Sequence, residues 1–223
     1  AKQLIEERKY FFFFLNPIDY FNPKDSGISL DMCEFNGSSR RQMQIEKWSK
    51  GDMEAILLPG LKAEMEDWQF PLHFIDFETS TVALPFTKGH YPYETTAFQY
   101  SHHQLEADGK LTHTEWIPTE RVFPNFDFVR ALKHDLEGDS GTIFRYSHHE
   151  NSVLNQIAEQ LQLSQEPDKD ELVAFIQSIT HNTKEERYGE RDMVDLCEVV
   201  VRYYYDPSMR GSNSIKVVLP AVL

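Results

Sequence analysis

Asp76 and Glu78 stand two residues apart in Leu72-His73-Phe74-Ile75-Asp76-Phe77-Glu78-Thr79, a short stretch that is otherwise largely apolar and β-prone. On a strand, residues i and i+2 share a face, with Cα atoms roughly 6–7 Å apart. Both carboxylates then point one way, and Ile75 and Phe77 point into the opposite layer. Two anions on one face of an apolar strand repel and resist desolvation. A hard divalent cation, which takes oxygen ligands, is the usual way to hold such a pair. The plainer reading is an edge strand with its acidic face in water.

The elements around the pair decide how it can be used. Thr95–Leu105 reads as a strand, 107–110 as a turn on Asp108-Gly109, and Leu111–Ile117 as the returning strand, a strong hairpin pattern. Phe123-Pro124-Asn125 opens a helix to about Glu137 with Phe128, Leu132 and Leu136 on one face. Thr142–Ser147 reads as a short buried strand, and a helix runs from Glu150 to Leu161. The order is β-β-β-α-β-α, a meander followed by a parallel crossover. In such a mixed sheet the first and fourth strands are neighbours, and ligands gather at strand ends. Glu150, where the fourth strand hands over to its helix, can therefore meet Asp76 and Glu78. Three carboxylates would suit two divalent ions about 3.5–4 Å apart.

Upstream, Tyr10–Phe14 reads as a strand followed by loops, and a helix is expected from an N-cap at Ser38 or Ser39 through Met43, Trp48, Met53 and Ile56. Pro59-Gly60 breaks it before a second helix, Leu61–Trp68. Downstream, a helix is expected at Glu171–Thr180 and another over Met193–Tyr204, with a turn at Gly211-Ser212-Asn213 leading into Ile215–Leu219. The expected division is 1–69, an irregular and helical extension, and 70–223, an α/β domain.

The chain has 223 residues and a net charge of −14, which argues against a broad basic surface for nonspecific nucleic-acid binding. Two lone cysteines, Cys33 and Cys197, point to a reducing compartment. The Phe11–Phe14 run is too short for a signal or membrane segment, so a cytoplasmic protein without a membrane partner is expected. Eight of nine histidines fall between His73 and His149. Adjacent strand residues face opposite ways, so neither His102-His103 nor His148-His149 chelates one ion with both rings if extended.

Phe74-Ile75-Asp76-Phe77-Glu78-Thr79 resembles the first motif of the DEDD (DnaQ-like) superfamily of 3′→5′ exonucleases, which have a ribonuclease H-like fold. Thr142 to Glu150 resembles the second motif, with Glu150 where most members carry Asp. Asp192-Met193-Val194-Asp195-Leu196 and Gly211 to Pro220 resemble the segment between the second and third motifs. Pro92-Tyr93, Phe98 to His102, and Tyr204 to Pro207 with Ser214-Ile215-Lys216 are similar to phrases of a bacterial family of DEDD-like domains, some fused to another nuclease.

The resemblance implies a metal-dependent nuclease that hydrolyses phosphodiester bonds in DNA or RNA. Asp76, Glu78 and Glu150 would be catalytic and would hold two Mg²⁺ or Mn²⁺ ions, with Asp195, or second Asp192, as the nearest substitute for a fourth ligand. Thr79, His149 and Lys216 would contact the substrate, a single-stranded 3′ end. The helix bearing the superfamily's fourth carboxylate and its general base should begin at or beyond Leu223. Either the domain is cut before that helix or it lacks the motif. The alternatives are a catalytically weak or inactive module that binds nucleic acid or a fused or separate nuclease domain, and a structural part of a larger protein.

Overall fold

The computed structural model describes residues 34–223, so the expected strand at Tyr10–Phe14 lies outside the described residues. The chain divides into two compact units, one formed by Trp68–Leu196 and one by the residues up to Asp67 together with Cys197–Leu223.

The Trp68–Leu196 unit is an α/β sheet domain. Its first strand, β1 (Leu72–Thr81), alternates as its side chains require: Ile75 and Phe77 are buried, Asp76 and Glu78 exposed. β2 (Thr95–Leu105) and β3 (Leu111–Trp116) complete an antiparallel meander. Gly109 closes their turn at φ 86°, a left-handed conformation glycine adopts without steric cost, and the Lys110 amide donates to Asp108 Oδ1 at 2.9 Å. A register shift after Glu78 pairs Glu78 with Gln99 but Thr79 with Ala97. At this bulge the Ala97 amide donates to Asn125 Oδ1 (2.8 Å), so a buried side chain supplies an acceptor.

α1 (Asn125–Leu136) follows, then β4 (Ile143–Arg145), α2 (His149–Leu163) and α3 (Lys169–Ile179). A small hairpin of β5 (His181–Asn182) and β6 (Arg187–Tyr188) leads to β7 (Val194–Asp195). The five-stranded sheet is mixed, in the order β3-β2-β1-β4-β7. β1 and β4 are parallel with His73 opposite Ile143, and β4 and β7 are parallel with Arg145 opposite Asp195. The core lies on the Ile75 and Phe77 side. Phe128, Leu132, Leu154, Ile157, Leu172 and Ile176 of the three helices close over it, and the Phe128 ring meets Phe77 edge-on at 4.9 Å.

Where sequence pattern and structure differ, the causes are local. The helix expected through Ile56 is Gly37–Lys50, capped by Asn36 rather than Ser38 or Ser39 and ended by Gly51 at φ 65°. Ile56–Leu57 is instead a short strand, antiparallel to Tyr204–Tyr205. The helix expected over Met193–Tyr204 begins only at Leu196, because Val194 and Asp195 are drawn into the sheet beside β4. Ile215–Val222 is a helix with Pro220 within it. Among the described residues, no helix is long and apolar enough to cross a membrane.

Candidate functional site

Asp76 and Glu78 lie on the β1 face away from the core and form no hydrogen bond or ion pair among the described residues. On that face β1 and β4 also carry a ring stack: Phe74 lies over Phe144 (centroids 5.0 Å apart, planes at 16°), and Trp68 meets Phe144 edge-on at 4.7 Å. Across the sheet, Ser101 is the strand partner of Asp76 and Glu115 that of Ser101. The Ser101 hydroxyl bonds His113 Nε2 at 3.1 Å, and His113 stacks on His103 at 4.4 Å. His103 is exposed and His102 buried, as strand alternation requires.

Glu150 occupies the first turn of α2 and is only 3% exposed. Burial pushes its carboxyl up to about 7, and the Asp76 charge adds to the rise. Arg145 and the amides of Glu150 itself and of Phe77 pull the other way. The Glu150 Oε2 is buried and has no hydrogen-bond partner among the described residues. An orphaned buried carboxylate oxygen costs about 1–3 kcal/mol or more, so the position calls for a proton or a cation.

The turn that delivers Glu150 is built by Arg145, Ser147 and Asp195. Ser147 sits at φ 74°, strained for a residue other than glycine. Asp195 holds it there: one carboxylate oxygen accepts from the Ser147 amide at 2.8 Å, and the other from Arg145 Nη1 at 2.7 Å. Arg145 Nη1 also donates to the Ser147 carbonyl. Both partners of this ion pair are nearly buried, at 4% and 8% side-chain exposure. The pair was not foreseen. An arginine directly after Ile143-Phe144 was the available signal, because a charge in a buried strand needs a partner.

Of the other candidates, Thr79 and His149 come together, Oγ1 to Nε2 at 3.4 Å. Asp192 is bonded to His181 Nδ1 at 2.9 Å. Lys216 belongs to the other unit, exposed in the first turn of the Ile215–Val222 helix. As the side chains stand, no group of three or more His, Cys, Asp or Glu among the described residues is placed to hold a metal ion. Among the described residues, Asp76 and Glu78 nevertheless engage no other side chain, and buried Glu150, whose carboxyl is raised in part by the Asp76 charge, presents an unpartnered oxygen. This donor set is all hard oxygen and suits Mg²⁺ or Mn²⁺.

Fold and site together define an α/β protein with a mixed five-stranded sheet that carries an acidic cluster on its central strand. The chain belongs to the family described as a domain of unknown function (DUF2779), whose model matches residues 73–214. Comparison with curated proteins gave no match, and comparison with solved structures gave none.

Proposed function

We propose that the Trp68–Leu196 unit is a ribonuclease H-like domain of the DEDD exonuclease type, hydrolysing phosphodiester bonds at the 3′ end of DNA or RNA. One observation carries the reading: Glu150, in the first turn after β4, is buried with an unpartnered Oε2, and β4 runs parallel to the strand that bears Asp76 and Glu78. The strand order β3-β2-β1-β4-β7, an antiparallel meander followed by parallel strands, supports it.

Asp76, Glu78 and Glu150 would hold the Mg²⁺ or Mn²⁺ ions. Bound divalent ions supply a deprotonated water and stabilise charge on the phosphoryl oxygens. The chain's own groups do the rest. Glu150, whose buried carboxyl favours its proton, would carry its charge only opposite such a cation. Thr79 and His149, already in contact, orient the terminal phosphate, and the Arg145–Asp195 pair fixes the turn that presents Glu150. Asp195 acts here by positioning, since both its oxygens are engaged.

Incubation with labelled single-stranded DNA and RNA in Mn²⁺ tests the reading. Wild type should shorten the strands from the 3′ end, and Asp76→Ala should lose at least 100-fold. Equal degradation by both proteins removes the assignment.

The second reading is an inactive module that keeps the fold to bind nucleic acid or a partner nuclease domain. The engagement of Asp195 favours it, because the nearest substitute for a fourth metal ligand has both carboxylate oxygens committed to Arg145 and Ser147. Strand binding without cleavage in either metal would select it.

A further inference from the structure

The segment joining β1 to β2 exposes large side chains with no partner to cover them. Leu84, Phe86, Tyr91 and Tyr93 are 82%, 85%, 75% and 70% exposed, and none of the three rings stacks on another among the described residues. Apolar surface gathered this densely marks an interaction site. The loop is nevertheless anchored at its base. The Tyr93 amide donates to the Val82 carbonyl at 2.8 Å, and His90 stacks on Phe123 with centroids 3.6 Å apart. Tyr93 is held at φ 62°, a conformation bulky residues rarely adopt, with its ring directed outward.

Charge indicates the occupant. The chain holds 36 acidic residues in 223, yet residues 79–93 contain none and include Lys88 and His90. The acid that ends the run, Glu94, is occupied by His90 Nδ1 at 2.9 Å and the Tyr91 amide at 3.0 Å. An acid-free segment that carries Lys88 among exposed rings, on a chain of charge −14, offers a polyanion with flat apolar faces a contact without carboxylate repulsion. The loop leaves β1 three residues beyond Glu78, roughly 10 Å along the strand. A strand whose end lies at the carboxylates is within its reach.

We infer that Phe86, Tyr91 and Tyr93 form a base-stacking platform that grips single-stranded nucleic acid a few nucleotides from the end held at Asp76 and Glu78. The inference rests on the proposed function for the identity of that end, but its test does not require cleavage. Binding of fluorescein-labelled single-stranded DNA and RNA is measured by anisotropy in EDTA, with wild type and a loop variant combining Phe86→Ala, Tyr91→Ala and Tyr93→Asn. Asn tolerates the left-handed backbone, and all three positions are exposed, so the variant should fold, as circular dichroism would verify. Wild type should bind at least one polymer, and the loop variant about 10-fold or more weakly. A strand with abasic sites should bind wild type as poorly as the intact strand binds the variant.

Equal affinity of wild type and loop variant overturns the inference even if the strands are cut, and so does a wild type that binds neither polymer. A wild-type dimer by light scattering that the loop variant converts to monomer, with unchanged strand binding, assigns the loop to protein contact instead. Loss of binding in the loop variant with no cleavage by any protein keeps the inference and removes only the catalytic reading.

Discussion

At the scale of single residues, two buried titratable groups set the chemistry. Glu150 is held near 7 against an ordinary 4.5, chiefly by burial. For an acid with a raised folded-state value, the stabilising form is the protonated one. Its contribution is complete below about 4.5 and is lost as pH rises through about 7, of the order of 3 kcal/mol. Glu150→Gln, which keeps the shape and removes the charge, should make the metal-free protein more stable than wild type at pH 8 and leave it nearly unchanged at pH 4. Urea unfolding at the two pH values checks this, and equal midpoints at pH 8 would contradict the buried-charge account.

The second group is a relay. Asp139 Oδ1 meets His73 Nε2 at 2.9 Å, His73 Nδ1 meets His102 Nε2 at 2.9 Å, His102 Nδ1 meets Thr114 Oγ1 at 3.0 Å, and Thr114 donates to Asp135 at 2.8 Å. Burial, then His73, push His102 down to about 4. Burial works to raise the Asp139 carboxyl, but the Gly141 amide, His73 and Arg191 together hold it below the usual range. Nitrogen-15 spectra at pH 7 should show a single proton on the His102 ring, and protons on both of its nitrogens would contradict its burial as the controlling effect. Because the folded value of His102 is depressed, its contribution to stability is present above about 6.5 and is lost as pH falls through about 4.

At the scale of elements, the site depends on the three-residue strand β4 being seated against the start of β1. Gly141 enters that strand with no room for a side chain, since an added Cβ would lie 1.9 Å from the Pro71 carbonyl oxygen. The Gly141 carbonyl also accepts from Arg191 Nε at 2.6 Å, and Arg191 Nη2 reaches Asp139 at 3.0 Å. Gly141→Ala should therefore separate β4 from β1 and cost roughly 1–3 kcal/mol or more by chemical denaturation. An unchanged midpoint would show that the junction yields freely. Asp195→Asn acts on a neighbouring element. It weakens the bond to buried Arg145 and the hold on strained Ser147, so stability should fall together with whatever activity Glu150 supports, without direct contact with substrate.

At the scale of the whole molecule, a cation bound between the carboxylates links site and stability. A ligand that binds only the folded chain stabilises it by about 2.7 kcal/mol at a hundred times its dissociation constant. Millimolar Mn²⁺ should raise the melting temperature of wild type, and that gain should vanish in Asp76→Ala and shrink in Glu150→Gln. A wild-type melting curve that Mn²⁺ does not move would count against the metal site.

The amino-acid sequence by itself determined whatever depends on near neighbours along the chain. Side-chain alternation placed Asp76 and Glu78 on one face and His102 and His103 on opposite faces. Asp108-Gly109 fixed the hairpin, and the spacing of Phe128, Leu132 and Leu136 fixed the buried face of α1. The order of elements also set β1 beside β4. Tertiary structure decided what depends on partners distant in sequence. β7 is two residues long, too short for any pattern, and is a strand only because β4 offers it a ladder. The burial that raises Glu150, the pairing of Asp195 with Arg145 fifty positions away, and the relay from Asp139 through His73 to His102 arise the same way. A carboxylate's proton affinity is set by the charges and dielectric around it, and those are assembled only when the sheet closes. The spacing of the acids was therefore legible in the sequence, and their chemistry was not.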